Sequence, residues 1–440
     1  MSPEVLSLIG ILLGVGVFVV GVFKGFSITF STLAGSIVIA LFSGMDILKA
    51  MTDTYMGKLG GVMKAYMLLF LMSALFAKMM GDTGAAQSIA YKMARLAKRF
   101  PRHEKFVACL SMGLLTAVFI YGGISVFVVI FTLIYIGKEL FEDLDIPWSM
   151  FTCIGMGTAT FATGMLPGSP QLTNLLPMNY FGTTAAAAPV LGIICSVASL
   201  AFSCWWIWFS VRRCERLGLG FEPTGAEIKK GWKEVARVDE QPLWKCLLPS
   251  VIMLIALNGF KLDAPVALGI GCLIIMLLFG ITKLNYKADM KDATANSCNT
   301  ALALGSAAGF GAVLAASSGF SFILSALNSI PGPGTFQVII ALGIASGITA
   351  SSSTGLTIGL DALGTHFMSL GIPAAALHRL CAISSLSLST LPHSSALANT
   401  YTLCKLDYKD AYIHHFMLTI VGNVLVTILA AFLISIGITF

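Results

Sequence analysis

Long apolar runs, separated by short polar connections, constrain this chain more than any other feature of its sequence. A bilayer core needs about 20 apolar residues for each helical span, so a chain of this length has room for roughly ten to twelve spans. Lipid accommodates only helices and closed barrels, and these runs are too long and too apolar for barrel strands. The sequence therefore predicts an all-α polytopic membrane protein, with apolar runs at 5–23, 27–42, 61–80, 106–136, 148–165, 185–209, 247–260, 265–282, 301–316, 336–370, 374–391 and 412–440.

The composition of the chain excludes a soluble protein. Hydrophobic residues make up 57% of the 440 residues and charged residues only 11%, whereas roughly a quarter of the residues in soluble domains are charged. The sequence contains no HExxH motif, no GxxxxGK[ST] motif and no pair of aspartates within an apolar run. We therefore expect neither an enzyme with catalytic residues, nor a metal site, nor an ATP-driven pump.

Basic residues cluster in a few connections, and this clustering predicts the orientation of the helices. By the positive-inside rule, the connections rich in Lys and Arg belong in the cytoplasm; they are Lys24, 92–105, Lys138, 212–245, 283–291 and 405–409. The connections poorer in basic residues are predicted outside, at 45–64, 175–184, 261–264 and 317–334. We expect a bacterial inner (plasma) membrane protein with both termini outside. Because the net charge of +6 lies in these connections, it does not indicate a nucleic-acid partner.

Two apolar runs have the wrong length for the positions of their ends. Lys105 and Lys138 both read as cytoplasmic, but two full spans between them would need about 40 residues and a single straight span would end on the far side. A re-entrant hairpin that turns inside the bilayer resolves the conflict, and the sequence Tyr121-Gly122-Gly123-Ile124-Ser125 supplies the turn. The run 336–370 has the polar sequence 351–355 near its middle, which predicts a second hairpin that enters from outside.

Each predicted hairpin is followed by a similar motif. LPGSPQLTN at 166–174 and LPHSSALAN at 391–399 share Leu, Pro, Ser, Leu and Asn at one constant offset. An Ile-Pro pair precedes each motif, at 146–147 and at 372–373. Two matched motifs, each following a hairpin of opposite orientation, are the pattern of a secondary transporter with inverted repeats.

The repeated motifs predict a substrate-binding site in the middle of the membrane. Proline breaks a helix, and a broken helix in lipid survives only where it lines a protein or aqueous cavity. The helix N-termini formed at a break suit a carboxylate, and the freed oxygens suit a cation or a dehydrated substrate. We expect the two hairpin tips and the two broken helices to converge on one site, formed by Ser125, Ser169, Gln171, Thr173, Asn174, Ser351, Ser352, Ser353, Thr354, His393, Ser394 and Asn399.

Ionisable residues within the apolar runs are candidates for proton coupling. His393 lies within the second motif, and a histidine titrates near neutral pH. Asp361 is the only acidic residue between Asp292 and Asp407 and follows the second hairpin tip. Both residues are proton-coupling candidates, since an intramembrane ionisable group usually has a function. His378 and Arg379 are predicted near the outer end of their helix. Arg379 could attract anions there, but extension of its side chain to the interface is the favoured prediction.

Four segments resemble the gluconate permease (GntP) family of the ion transporter superfamily. They are FAKMMGDTGAAQSIA from Phe76, YGGISVFVVIF from Tyr121, LPGSPQLTN from Leu166 and LSTLPHSSALANT from Leu388, and the resemblance extends over nearly the whole chain. It implies proton-coupled uptake of a small organic acid by an elevator mechanism, with no cofactor other than the coupling ion. It also implies a homodimer in which scaffold helices form the interface and the hairpins belong to a mobile transport domain.

The resemblance has one departure, and several alternatives stay open. Gluconate-type members carry a histidine in the first loop where this chain has Ser169, whereas His393 in the second loop is kept. The motifs are more similar to the branch linked to 3-hydroxybutyrate and related short-chain acids. Gluconate or another sugar acid is the alternative substrate, and Na⁺ bound by carbonyl, Ser, Thr and Asn oxygens is the alternative coupling ion. An anion channel is a third possibility, because re-entrant loops also build selectivity filters.

The predicted organisation divides the chain into six parts. In chain order these are N-terminal scaffold helices (1–82), first-repeat transport elements (83–210, with a hairpin near 106–137 and a broken helix near 148–180), a cytoplasmic linker (211–246), second scaffold helices (247–316), second-repeat transport elements (317–411, with a hairpin near 336–370 and a broken helix near 374–400) and a C-terminal helix (412–440).

Overall fold

The computed structural model describes residues 2–24, 26–85, 88, 92, 103–123, 126–230, 240–280, 285–392 and 394–440. Within these ranges only the backbone is described at 22–23, 126–132, 135–136, 153, 286, 323–324, 327–328, 395 and 398–399. The predictions for Ser125, for His393 and for the side chain of Asn399 therefore concern residues outside the described ones. The helices are α1 Pro3–Phe23, α2 Ile28–Phe42, α3 Ile47–Asp82, α4 Glu104–Tyr121, α5 Val126–Asp143, α6 Phe151–Thr158, α7 Leu172–Phe181, α8 Pro189–Leu217, α9 Ala226–Lys230, α10 Leu243–Gly259, α11 Ala264–Phe279, α12 Tyr286–Ala316, α13 Phe320–Asn328, α14 Gly334–Thr349, α15 Ser352–Ser369, α16 Ala374–Ser384, α17 Ser395–Cys404 and α18 Tyr408–Ser435.

Most of the described residues in the predicted apolar runs are helical. Six of the described helices are long and apolar enough to cross a membrane, which confirms the prediction of an all-α membrane protein. Wide π-helical turns interrupt four of the long apolar segments, at Ala50–Tyr55, Phe161–Met165, Ile255–Gly259 and Phe416–Val421. Such turns are rare in helices and are frequently found at functional sites.

Most of the predicted connections contain helix; for example, α7 extends into 175–184 and Lys138 lies within α5. The segment 45–64 is helical from Ile47, because the Asp46 carboxylate caps the Lys49 amide at 3.0 Å and the helix then continues to Asp82. Helix α12 begins at Tyr286, inside the predicted connection 283–291, and Asn285 caps it. Helix α13 lies inside the predicted connection 317–334. Charged and polar residues mark a connection less reliably than a capping residue does, since a helix can extend beyond the lipid.

Both predicted hairpins are interrupted helices at the predicted positions. Helix α4 ends at Tyr121, where Gly123 adopts a positive φ of 85°, and α5 begins at Val126. Helix α14 ends at Thr349, Ala350 adopts a φ of 44°, and Ser351 caps α15. The two helices of each pair pack against each other. Their orientation in a membrane and their relation as inverted repeats remain predictions.

Among the described helices, α3 and α12 form the most extensive pair. Two glycines on α12 allow the close approach: a Cβ on Gly309 would lie 2.8 Å from the Tyr55 carbonyl oxygen, and one on Gly305 would lie 3.1 Å from that of Leu59. Small residues serve this purpose between membrane helices, where van der Waals packing drives association. Helix α12 also contacts α2 and α15, so it connects the N-terminal helices to the second hairpin.

The two halves of the chain pack against each other through their broken helices. Helix α7, which follows the first broken segment, packs on α16, which precedes the second. A Cβ on Gly164 would lie 3.0 Å from the Ala382 carbonyl oxygen, so the backbones of the two broken helices approach each other closely. The indole Nε1 of Trp148 donates a hydrogen bond of 2.8 Å to the carbonyl of Cys404, and this bond joins the start of the first broken helix to the end of the second.

Candidate functional site

The first broken helix turns at 166–171, between the π-helical turn Phe161–Met165 and α7. Gly168 adopts a φ of 80°, and Pro167 and Pro170 cannot donate backbone hydrogen bonds. Predicted site residues replace the lost helical bonds: the Ser169 hydroxyl donates to the Ala162 carbonyl at 2.6 Å, and the Thr173 hydroxyl donates to that of Thr163 at 3.1 Å. These side chains therefore hold the break in one shape.

The first hairpin tip lies directly on the first break. The Tyr121 hydroxyl donates to the Pro167 carbonyl at 2.9 Å, and the Gln171 amide donates to the Ile120 carbonyl at 2.7 Å. From α10, the Asn258 amide donates to the Gly168 carbonyl at 3.2 Å, while the Asn258 Oδ1 atom is buried without a partner among the described residues. Of the predicted residues, the structure thus brings Ser169, Gln171 and Thr173 together around one loop.

Arg379 is the central side chain of this arrangement, and its predicted position was wrong. Instead of extending to the interface it is fully buried, and all five N–H groups of its guanidinium donate hydrogen bonds into the first break. The acceptors are the carbonyls of Gly164, Ala185 and Ala187 and Oδ1 of Asn174, at 2.7 to 3.3 Å. None of the ion pairs found among the described residues includes Arg379.

Asn174 connects Arg379 to the rest of the break. Its amide nitrogen donates to the carbonyls of Ser169 and Ala185 at 2.8 and 2.9 Å, and its oxygen accepts from Arg379. The adjacent His378 is also buried; its Nδ1 lies 2.6 Å from the Thr183 hydroxyl, and its Nε2 lies 3.3 Å from Asn174 Oδ1. The predicted Asn174 is therefore one of the polar residues through which the two halves of the chain meet.

The second hairpin tip lies near the second broken segment. At the tip the Ser351 hydroxyl lies 2.9 Å from that of Thr354, while Ser352 and Ser353 are partly exposed. The two legs approach so closely that a Cβ on Gly355 would lie 2.4 Å from the Cα of Ser346. A Cβ on Gly347 would lie 3.3 Å from Leu388 of the second broken segment. Ser394 is buried at the start of α17, but none of the described hydrogen bonds joins these residues to Ser169 or Asn174.

Asp361 lies on the second leg of this hairpin and contacts two other helices. Its Oδ1 atom lies 2.7 Å from the amino group of Lys58 on α3 and accepts a hydrogen bond of 2.5 Å from the Tyr180 hydroxyl on α7. The Asp361 side chain is 1% exposed whereas that of Lys58 is 40% exposed, and Asp361 Oδ2 has no partner among the described residues. A second polar contact joins α7 to α3: the Asn179 amide donates a hydrogen bond of 2.8 Å to the Tyr66 hydroxyl.

Sequence reasoning missed Lys58, Tyr180 and Asn258 and misplaced Arg379. One signal was present for Arg379, because no other Lys, Arg, Asp or Glu occurs between Asp361 and Lys405. The other three residues belong to segments that carried no motif, and only the packing brings them to Asp361 or to the first break.

The chain is similar to a known transporter over nearly its whole length. It is 27% identical, over an alignment of 462 residues, to the uncharacterized transporter YxjC of Bacillus subtilis (strain 168), with 94% of this chain and 96% of the relative covered. No protein-family model matches the chain. Together with the apolar helices, the similarity supports a multi-pass membrane transporter, and it names no substrate.

Proposed function

We propose that this protein is a secondary active transporter that takes up a small organic acid anion together with a proton. The observation that carries the proposal is the first break, where buried backbone and polar side chains surround a buried arginine between helical hairpins. Irregular backbone at membrane depth is tolerated where it lines a substrate site. The full-length similarity to a transporter supports the same class.

The substrate in this proposal is 3-hydroxybutyrate or a related short-chain hydroxy or keto acid. The sequence supports it through the resemblance to the gluconate permease family and through Ser169, which stands where gluconate-type members carry histidine. A serine whose hydroxyl already bonds the Ala162 carbonyl leaves fewer donors for a polyhydroxylated chain. Gluconate or another sugar acid is the alternative substrate.

Asp361 is the proposed proton carrier, with His393 as the second candidate. A carboxylate that is 1% exposed and has one unpartnered oxygen can take up a proton there, and its salt bridge to Lys58 exists only while it is ionised. Protonation would therefore release α15 from α3. One proton with one monocarboxylate is electroneutral, whereas an additional cation would add about 2.3 kcal/mol per charge per 100 mV. Na⁺ is the alternative coupling ion.

An elevator movement fits the polar contacts between the proposed scaffold (1–82 and 247–316) and transport elements. Lys58–Asp361, Tyr66–Asn179 and Asn258–Gly168 join the two parts, and each is a contact that a sliding transport domain would break and re-form. The complete proposal is a homodimer in a bacterial inner membrane, with the scaffold helices at the dimer interface and both termini outside.

Uptake into proteoliposomes tests the proposal. Labelled 3-hydroxybutyrate and gluconate are offered with a pH gradient or a sodium gradient imposed separately. We expect saturable, concentrative uptake of 3-hydroxybutyrate with an inward proton gradient, and counterflow without one. Accumulation with only a sodium gradient would contradict proton coupling. Flux that neither saturates nor exceeds equilibrium would favour an anion channel, and gluconate uptake alone would favour the sugar-acid alternative.

A further inference from the structure

The charge on Arg379 has no counterion in the described part of the structure. A guanidinium stays protonated in proteins and offers five donors but no acceptor. Here the five N–H groups bind four neutral oxygens. Three of these oxygens are the backbone carbonyls of Gly164, Ala185 and Ala187, of which Ala187 accepts two bonds, and the fourth is Oδ1 of Asn174. These oxygens replace hydration, but they carry only partial charge, so a buried positive charge remains at the first break.

We propose that Arg379 supplies the fixed positive charge by which the carrier selects an anion, and that it does so without donating a hydrogen bond to the substrate. This inference rests on the proposed function and identifies a positioning residue for it. With its five donors occupied, Arg379 holds the carbonyls of Gly164, Ala185 and Ala187 in place, and the substrate carboxylate provides the missing negative charge nearby.

The two halves differ at this position, which supports a specific role. The offset that aligns LPGSPQLTN with LPHSSALAN places Ile154 opposite Arg379. Ile154 is buried and apolar, so the first half places no cation at the matching position. An arginine needed only to hold the shape of a helix break would be expected in both halves. A positive charge in one half only matches the single negative charge of a monocarboxylate.

Cys195 offers a way to cancel this charge without removing the clamp. It is a buried, neutral thiol on α8, which packs against the turn Phe161–Met165 at the first break, and a negative charge placed there would act on Arg379. Cys195→Asp introduces a permanent counterion, and Cys195→Asn introduces a side chain of the same shape without charge. Arg379→Met removes the charge and five hydrogen bonds together, so its effect on folding obscures its effect on binding.

Binding of 3-hydroxybutyrate and of its uncharged amide is measured by calorimetry on purified, monodisperse protein in nanodiscs. We expect the wild-type protein and Cys195→Asn to prefer the acid. Cys195→Asp is expected to bind the acid about tenfold more weakly than Cys195→Asn, which corresponds to about 1.4 kcal/mol, with binding of the amide unchanged. Arg379→Lys is expected to keep the preference for the acid, because it keeps the charge.

If the wild-type protein binds the acid but Cys195→Asp and Cys195→Asn bind it with equal affinity, this inference is overturned and the proposed function stays intact. A wild-type protein that binds and transports no carboxylate would overturn the proposed function first, and the role of Arg379 with it.

Discussion

The amino group of Lys58 lies 2.7 Å from the carboxylate of Asp361, and this ion pair joins α3 to the second leg of the second hairpin. Only one member is buried, since Lys58 is 40% exposed and Asp361 is 1% exposed. Removing Lys58 therefore leaves a buried carboxylate with Tyr180 as its remaining partner, whereas removing the carboxylate leaves a lysine that water can reach. The two deletions are not equivalent.

Asp361→Asn tests the proposed coupling. The amide keeps the shape and can still accept the Tyr180 hydrogen bond, but it takes up no proton and forms no salt bridge with Lys58. We expect proteoliposomes to lose accumulation driven by a pH gradient and to retain counterflow of 3-hydroxybutyrate. The matched control is Asp292→Asn, an exposed aspartate on α12. Undiminished pH-driven accumulation in Asp361→Asn would exclude Asp361 as the carrier.

Trp148→Phe tests the bond between the two broken helices. The substitution keeps an aromatic ring against Phe151 but leaves the buried Cys404 carbonyl without the indole donor, which we expect to cost about 1–3 kcal/mol. Trp206→Phe is the matched control, because the buried Trp206 Nε1 has no partner among the described residues. Thermal unfolding in detergent should show a lower midpoint for Trp148→Phe than for Trp206→Phe, and equal midpoints would contradict the role of this bond.

A cross-link between positions 66 and 179 tests the elevator movement. The Tyr66 hydroxyl and the Asn179 amide are in contact across the proposed scaffold–transport boundary. Because this contact is made at the tip of a long side chain, the two cysteines of Tyr66→Cys with Asn179→Cys are bridged by a short, reducible bifunctional thiol reagent rather than by a direct disulfide. We expect transport to be lost on cross-linking and regained on reduction. The control pair is Met156→Cys with Thr400→Cys, because these side chains touch within the proposed transport elements. Transport that survives complete cross-linking of 66 to 179 would contradict the movement.

Arg379→Met and Arg379→Lys test the guanidinium as a clamp on the first break. Methionine leaves the carbonyls of Gly164 and Ala187 without the guanidinium donor, and each buried group that loses its partner costs about 1–3 kcal/mol. The Ala185 carbonyl keeps the bond from the Asn174 amide. Lysine keeps the charge but offers three donors in place of five. We expect the melting temperature to fall in the order wild type, Arg379→Lys, Arg379→Met. A methionine variant as stable as the wild type would contradict the clamp.

Much of the helical layout could be predicted because its signals are local. Gly122-Gly123, the polar sequence 351–355 and the Pro-containing motifs each determine backbone geometry at their own position, and the helices are interrupted there. The segment 45–64 was misassigned because three lysines and two aspartates suggested a connection, whereas the Asp46 cap begins a helix that continues into the apolar run.

The partners of the site residues could not be predicted, because they come from distant parts of the chain. Arg379 contacts Gly164, and Lys58 contacts Asp361, through packing of elements that no motif relates. The position of Arg379 was wrong for the same reason: a helix considered alone directs a long cation towards water. In the structure, the carbonyls of Gly164, Ala185 and Ala187 from the first half accept the hydrogen bonds of Arg379 in place of water.

The five bonds from Arg379 also have a consequence for how the protein is made. Synthesis proceeds from the N-terminus, so the carbonyls of Gly164, Ala185 and Ala187 leave the ribosome long before the guanidinium that pairs with them. Until then, the Asn174 amide can bind the Ala185 carbonyl, but the carbonyls of Gly164 and Ala187 lack the guanidinium donor, and hydrocarbon supplies none. The first half must therefore stay in contact with the insertion machinery or with water until the second half has been synthesised. Insertion is complete only when the two halves have assembled.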